Sequence, residues 1–184
     1  MKTLPALFVI SSVFVSCASK TERTPLPTVQ NLRPEAYTGV WHEVARLPNF
    51  FERNVVAARA TYGLLPDGAI SVFNEGLKAD GKETSIRGKA TTVGSTPDGE
   101  AKLEVRFDQF PASLFAGDYW ILDLNDAHAK AIVGSPDRKF LWLLSKDPDS
   151  TPADFSDGIR RMESLGFEMD ELIVNPRRIE TETN

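Results

Sequence analysis

From Tyr37 onward, short runs of alternating apolar and polar residues recur, separated by Gly, Pro, Asp and Asn. A period of two places successive side chains on opposite faces and predicts consecutive antiparallel strands. Eight are predicted: Val40 to Leu47, Val55 to Leu64, Ala69 to Leu77, Thr84 to Val93, Lys102 to Asp108, Asp118 to Leu124, Ala127 to Val133 and Lys139 to Ser145. In Lys102-Leu103-Glu104-Val105-Arg106-Phe107-Asp108 every second residue is charged, so Leu103, Val105 and Phe107 face inward. In the preceding strand Arg87 and Lys89 point out, leaving Ile86, Gly88 and Ala90 inside. Small inward residues leave room for a ligand.

The pattern then changes period. Pro152 marks a helix start, Phe155, Ile159, Met162 and Leu165 fall at helical spacing, and Gly166 ends the segment. A last strand, Leu172-Ile173-Val174, follows. The expected fold is all-β, an eight-stranded antiparallel up-and-down barrel with a C-terminal helix and a short final strand. Closure removes both unpaired sheet edges, and eight strands enclose about one small ligand. A β-sandwich is the alternative with the same strand count.

Before the strands lies an address. Residues 1–16 combine Lys2 with an apolar run from Leu4 to Val15, too short to span a bilayer as a helix. The sequence Phe14-Val15-Ser16-Cys17 resembles the lipobox of bacterial lipoproteins, which implies removal of 1–16 and lipidation of Cys17. Residues 17–30 then read as a lipidated N-terminus and polar tether, 31–178 as the domain, and 179–184 as a tail. Cys17 is the only cysteine, so no internal disulfide forms. One Cys and two His exclude a Cys/His zinc cluster, and no metal or cofactor is expected. The net charge of −5 shows no clustered Lys and Arg, which argues against a nucleic-acid partner.

Gly39-Val40-Trp41 opens a further signature, continued by GVWHEVARLPNFFER, ATYGLLPDG, GDYWILDL and VGSPDRKFLWLLSK. Together these resemble the bacterial lipocalins, outer-membrane lipoproteins also similar to apolipoprotein D. The resemblance implies a barrel closed at the end where Trp41 sits, with Gly39, Trp41 and Lys146 as its structural motif. Lys146 stands where the family usually stacks an Arg; a Lys can make a cation–π contact but not planar stacking. It also implies that Tyr62, Asn74, Tyr119, Phe140 and Trp142 line a cavity. Strand parity adds Val56, Ala58 and Ala60 to the face of Tyr62, Ile70 and Val72 to that of Asn74, and Ile121 to that of Tyr119. With Ile86, Leu103, Val105 and Phe107, these form the expected ligand-binding set.

The implied function is storage or transport of a hydrophobic ligand, a fatty acid or lysophospholipid, by a protein lipid-anchored to the outer membrane and facing the periplasm. No catalytic residue is expected. The alternatives are a lipid-modifying enzyme on the same barrel, and a haem or pigment carrier using His128. Glu43 shares the parity of Trp41 and reads as a structural acid near one end; His42 reads as outward. Phe50 and Phe51, and the run Phe110-Pro111-Ala112-Ser113-Leu114-Phe115, are apolar for loops and read as a greasy portal around the mouth. Trp120 on the outer face either supports a homodimer or covers the helix.

Overall fold

The computed structural model describes residues 24–93, 99–109, 111–114, 116–176 and 179. Cys17, Phe110, Phe115 and most of the expected tail lie outside the described residues. A short helix, α1 (Pro34–Tyr37), precedes eight long strands: β1 (Gly39–Arg46), β2 (Val55–Leu64), β3 (Ile70–Lys78), β4 (Glu83–Thr92), β5 (Lys102–Phe107), β6 (Ala116–Leu124), β7 (Lys130–Gly134) and β8 (Leu141–Ser145). Each pairs antiparallel with the next, and β1 pairs with both β2 and β8, so the meander closes into a barrel rather than opening into a sandwich. A 3₁₀ turn over Pro152–Phe155 leads into α2 (Ser156–Ser164), and β9 (Ile173–Val174) adds to β1 at Ala45 and Arg46.

β7 begins later than its alternation predicts because Asn125–Ala129 forms a turn. Asn125 accepts the amides of Ala129 and Lys130, and His128 takes a positive φ of 50°. The helical segment is likewise divided. Thr151 and Asp154 form a reciprocal cap on the 3₁₀ turn, and α2 proper starts only at Ser156. Gly166, at a φ of +89°, ends it as expected.

Two apolar layers result. Inside the barrel Trp41, Tyr62, Val72, Leu103, Val105, Ile121 and Leu144 form one cluster. Outside, the stripe Phe155, Ile159, Met162 and Leu165 of the helical region packs on Val44, Leu122, Ile132, Leu141 and Leu143. Trp120 joins this outer layer, with the Lys102 ammonium 4.8 Å from its ring centre. Of the residues read as tether, 24–30 lie along the barrel instead: Leu26 is buried in the outer layer, and Val29 donates its N–H to Ile121 O at 2.9 Å.

Candidate functional site

The closed end is built on a single turn of helix. Pro34 starts α1, whose last residue, Tyr37, is buried and accepts the Trp41 indole N–H at its carbonyl oxygen, 2.8 Å away. The Lys146 ammonium sits 5.1 Å from the centre of the Trp41 ring and donates to Ala36 O at 3.0 Å, so the cation–π contact expected of this lysine is made. Tyr37 stacks on Tyr62 at 5.4 Å. The hydroxyl of Tyr119 then shares hydrogen bonds with Tyr37, at 2.7 Å, and with Tyr62, at 2.9 Å. Burial pushes all three phenols above their usual pKa, so they remain neutral donors. Under this tyrosine floor a void of about 10 Å³ remains among Ile70, Val72, Ala90, Leu103 and Val105, room for about one water. The lower barrel is therefore packed, not hollow.

Above the floor the inward residues are only half-buried. Ala58, Asn74, Ile86, Phe107, Phe140 and Trp142 are in this group, whereas Ala60, Ile70, Val72, Leu103, Val105 and Ile121 are buried. Asn74 sits between Ala60 and Ile86 across the ladders, and its amide oxygen is enclosed without a hydrogen-bond partner. Two sequence expectations change here. Val56 is not inward by simple parity: the ladder steps from Val55↔Lys78 to Ala57↔Leu77, so Val56 is the extra residue of a bulge and Val55 turns onto the face of Gly76. Gly88 does not leave free space either. A Cβ there would lie 2.5 Å from Arg106 O and 2.9 Å from the Phe107 ring, so the glycine makes room for its cross-strand partner.

A polar network that sequence reading did not assemble lines the upper wall. A second bulge, between Glu43 and Ala45, restores Arg46 to the inner face opposite Trp142. Arg46 is 3 % exposed. Its Nη1 donates to Glu43 Oε1 and to Asn175 Oδ1, both at 2.8 Å, and its Nη2 donates to the carbonyls of Glu52 and Val55 at 3.0 and 3.1 Å. Its Nε lies 3.5 Å from the Glu52 carboxylate. Trp142 donates its indole N–H to that same carboxylate at 3.1 Å, as does the Asn49 amide. The guanidinium thus pins the β1–β2 loop and the residue after β9 to one point. Glu43 is held protonated over an unusual range. Burial first, then the neighbouring Glu52 charge, push its pKa up to about 8, against the opposing pull of Arg46. His42 keeps its expected outward parity, opposite Ser145, but is covered there, at 4 % exposure.

At the mouth this wall continues as an aromatic ladder. Trp142 stacks on Phe140 at 6.0 Å, Phe140 meets Phe51 at 5.4 Å, and Phe50 stands edge-on to Phe51 at 5.0 Å. Exposure rises outward, to 53 % at Phe51 and 71 % at Phe50, with Leu114 at 63 % on the neighbouring β5–β6 loop. A groove of about 530 Å³ opens beside the mouth, between the 48–54 loop and Ile173. His128 lies in the β6–β7 turn at the opposite end of the barrel, away from the half-buried wall.

Comparison with known proteins matches this geometry. The model of the "Lipocalin-like domain" family matches residues 33–177. Temperature-induced lipocalin-1 of Arabidopsis thaliana is 34 % identical, over 85 % of this chain and 86 % of the relative. The outer membrane lipoprotein Blc of Citrobacter freundii is 32 % identical, over 94 % of this chain and 96 % of its own length. Among solved structures, insecticyanin of the tobacco hornworm Manduca sexta superposes with a TM-score of 0.62 at 21 % identity, covering 87 % of each chain. With the family model matching all eight barrel strands and relatives above 30 % identity covering most of both chains, the chain belongs to the lipocalin family.

Proposed function

We propose that the protein is a non-catalytic carrier of a single-chain amphiphile, a fatty acid or lysophospholipid, held tail-inward with its head group at the mouth. The observation that carries this reading is the aromatic ladder from the exposed Phe50 and Phe51, through Phe140, to Trp142, with the inward Ile86 and Phe107 likewise only half-buried above the tyrosine floor. An alkyl chain gains about 0.8 kcal/mol per methylene buried on such a surface. Asn74 offers the enclosed wall an unused hydrogen-bonding atom for a ligand hydroxyl or amide. Arg46 is already surrounded by acceptors, so it is not the site of an anionic head group. Glu43 and Glu52 are tied to Arg46, Asn49, Trp142 and Asn175, which suits a structural network better than acid–base chemistry on a lipid. Similarity to Blc supports the expected lipid anchor at Cys17 and an outer-membrane location.

The test is a fluorescence titration of soluble residues 18–184 with fatty acid, lysophospholipid and a short detergent. Saturable quenching or shift by one amphiphile, lost in Trp142→Phe, is the expected result. A flat response to all three, from a chain with normal β-sheet circular dichroism, removes the carrier reading and leaves the fold standing.

A further inference from the structure

We infer that the mouth of the barrel docks on a phospholipid bilayer, facing the same membrane to which the N-terminus is proposed to be anchored. The first observation is where the chain leaves the fold. Arg138, in the β7–β8 loop, donates from Nη2 to Thr24 O at 2.6 Å and from Nε to Leu165 O at 2.6 Å. That loop ends in Phe140, which packs on Phe51 of the rim. From Thr24 the chain runs along the outer wall to the opposite end, where Ala101 donates to Val29 O at 2.9 Å, and only then enters α1 and β1. The N-terminal segment therefore departs beside the mouth, although the first strand starts at the closed end. Seven steps of chain separate Thr24 from Cys17, a reach of about 25 Å when fully extended. An anchor on so short a lead holds the near end of the barrel against the membrane and keeps the closed end away.

The rim has the chemistry to meet that surface. Phe50, Phe51 and Leu114 are each more than half exposed, on two different mouth loops. Aromatic and aliphatic side chains presented together partition into the head-group region of a bilayer. The docking rests on this exposed rim and on the chain leaving the fold beside it; the membrane it meets rests on the anchor proposed above.

The experiment uses the full chain with Cys17→Ser, so that one introduced thiol can be labelled with an environment-sensitive fluorophore. One protein carries Leu114→Cys at the mouth, another Ala127→Cys in the exposed turn at the closed end. Each is mixed with vesicles of phosphatidylethanolamine and phosphatidylglycerol whose acyl chains are brominated. The expected result is quenching and a blue shift at position 114, neither at 127, and about tenfold weaker vesicle binding when Phe50→Ser is added to the Leu114→Cys protein. Quenching at 127, quenching at neither site, or an unchanged affinity with Phe50→Ser overturns the proposal. Titration of the same proteins with monomeric lysophospholipid separates the two readings. Binding of the amphiphile without quenching at 114 removes docking and leaves the carrier; docking without amphiphile binding removes the carrier alone.

Discussion

Replacing Glu43 by Gln separates the charge of the buried network from its shape. The amide keeps an oxygen for Arg46 Nη1 and for the Asn175 amide, and supplies N–H groups toward Glu52 in place of the carboxyl proton. Glu43 in the folded protein is pushed up to about 8, against the 4.5 usual for a glutamate carboxyl. The folded state therefore binds the proton more tightly than the unfolded chain, and stability falls as pH rises between those two values. The limiting slope is about 1.4 kcal/mol per pH unit. Integrated from pH 5.5 to 8.5, the Glu43 contribution to stability drops by about 3 kcal/mol. Urea unfolding of the wild type and Glu43→Gln at both pH values reads this directly. The two proteins should be similar at pH 5.5, and the variant should be the more stable at pH 8.5. Parallel stabilities across the range would refute the reasoning, because they would mean that burial and Glu52 do not set the proton affinity of Glu43.

Tyr119→Phe removes the hydroxyl that bridges Tyr37 and Tyr62, stranding two buried phenols at a cost of about 1–3 kcal/mol in chemical denaturation. A loss below 0.5 kcal/mol, on the order of a surface substitution, would mean that the floor does not depend on this bridge. Gly88→Ala drives a methyl into Arg106 O and the Phe107 ring, so β4 and β5 must separate locally; a loss of about 1–3 kcal/mol and a lowered melting temperature are expected. Lys146→Met removes the cation over Trp41 and the bond to Ala36 O while keeping the stem. It should destabilise by about 1–2 kcal/mol, measured by thermal unfolding at low and high salt.

The alternation of charged and apolar residues made the barrel legible, since charges at 102, 104, 106 and 108 admit one choice of inner face, and the structure adopts it. The helix was legible for the same reason: its four apolar positions meet the outer wall. Parity failed where the ladder itself slips. The extra residue near Val44 returns Arg46 to the inside and the one at Val56 exchanges the roles of neighbours, and neither bulge has a local signature in the sequence. The Arg46 network escaped for a second reason. Its members come from β1, the 49–52 loop, β8 and residue 175, and only closure of the barrel brings them together. The place of Tyr37 was not legible, because four residues of helix are too few to show a period. Pro34, placed to start a helix, was the available signal, with Tyr37 four residues before Trp41.

Because β9 occupies the edge of β1 that β2 leaves free, the seam of the barrel is sewn by two residues that follow all eight barrel strands in the chain. Arg46 waits for a partner 129 residues downstream. During synthesis the hairpins from β2 to β8 can pair as they emerge, but the upper half of β1 stays without β9, and the Arg46 guanidinium and the Glu43 carboxyl each lack a bond, until residue 175 arrives. Completion of the upper wall is thus coupled to a contact of very long sequence separation, so it is the last part of the barrel to set.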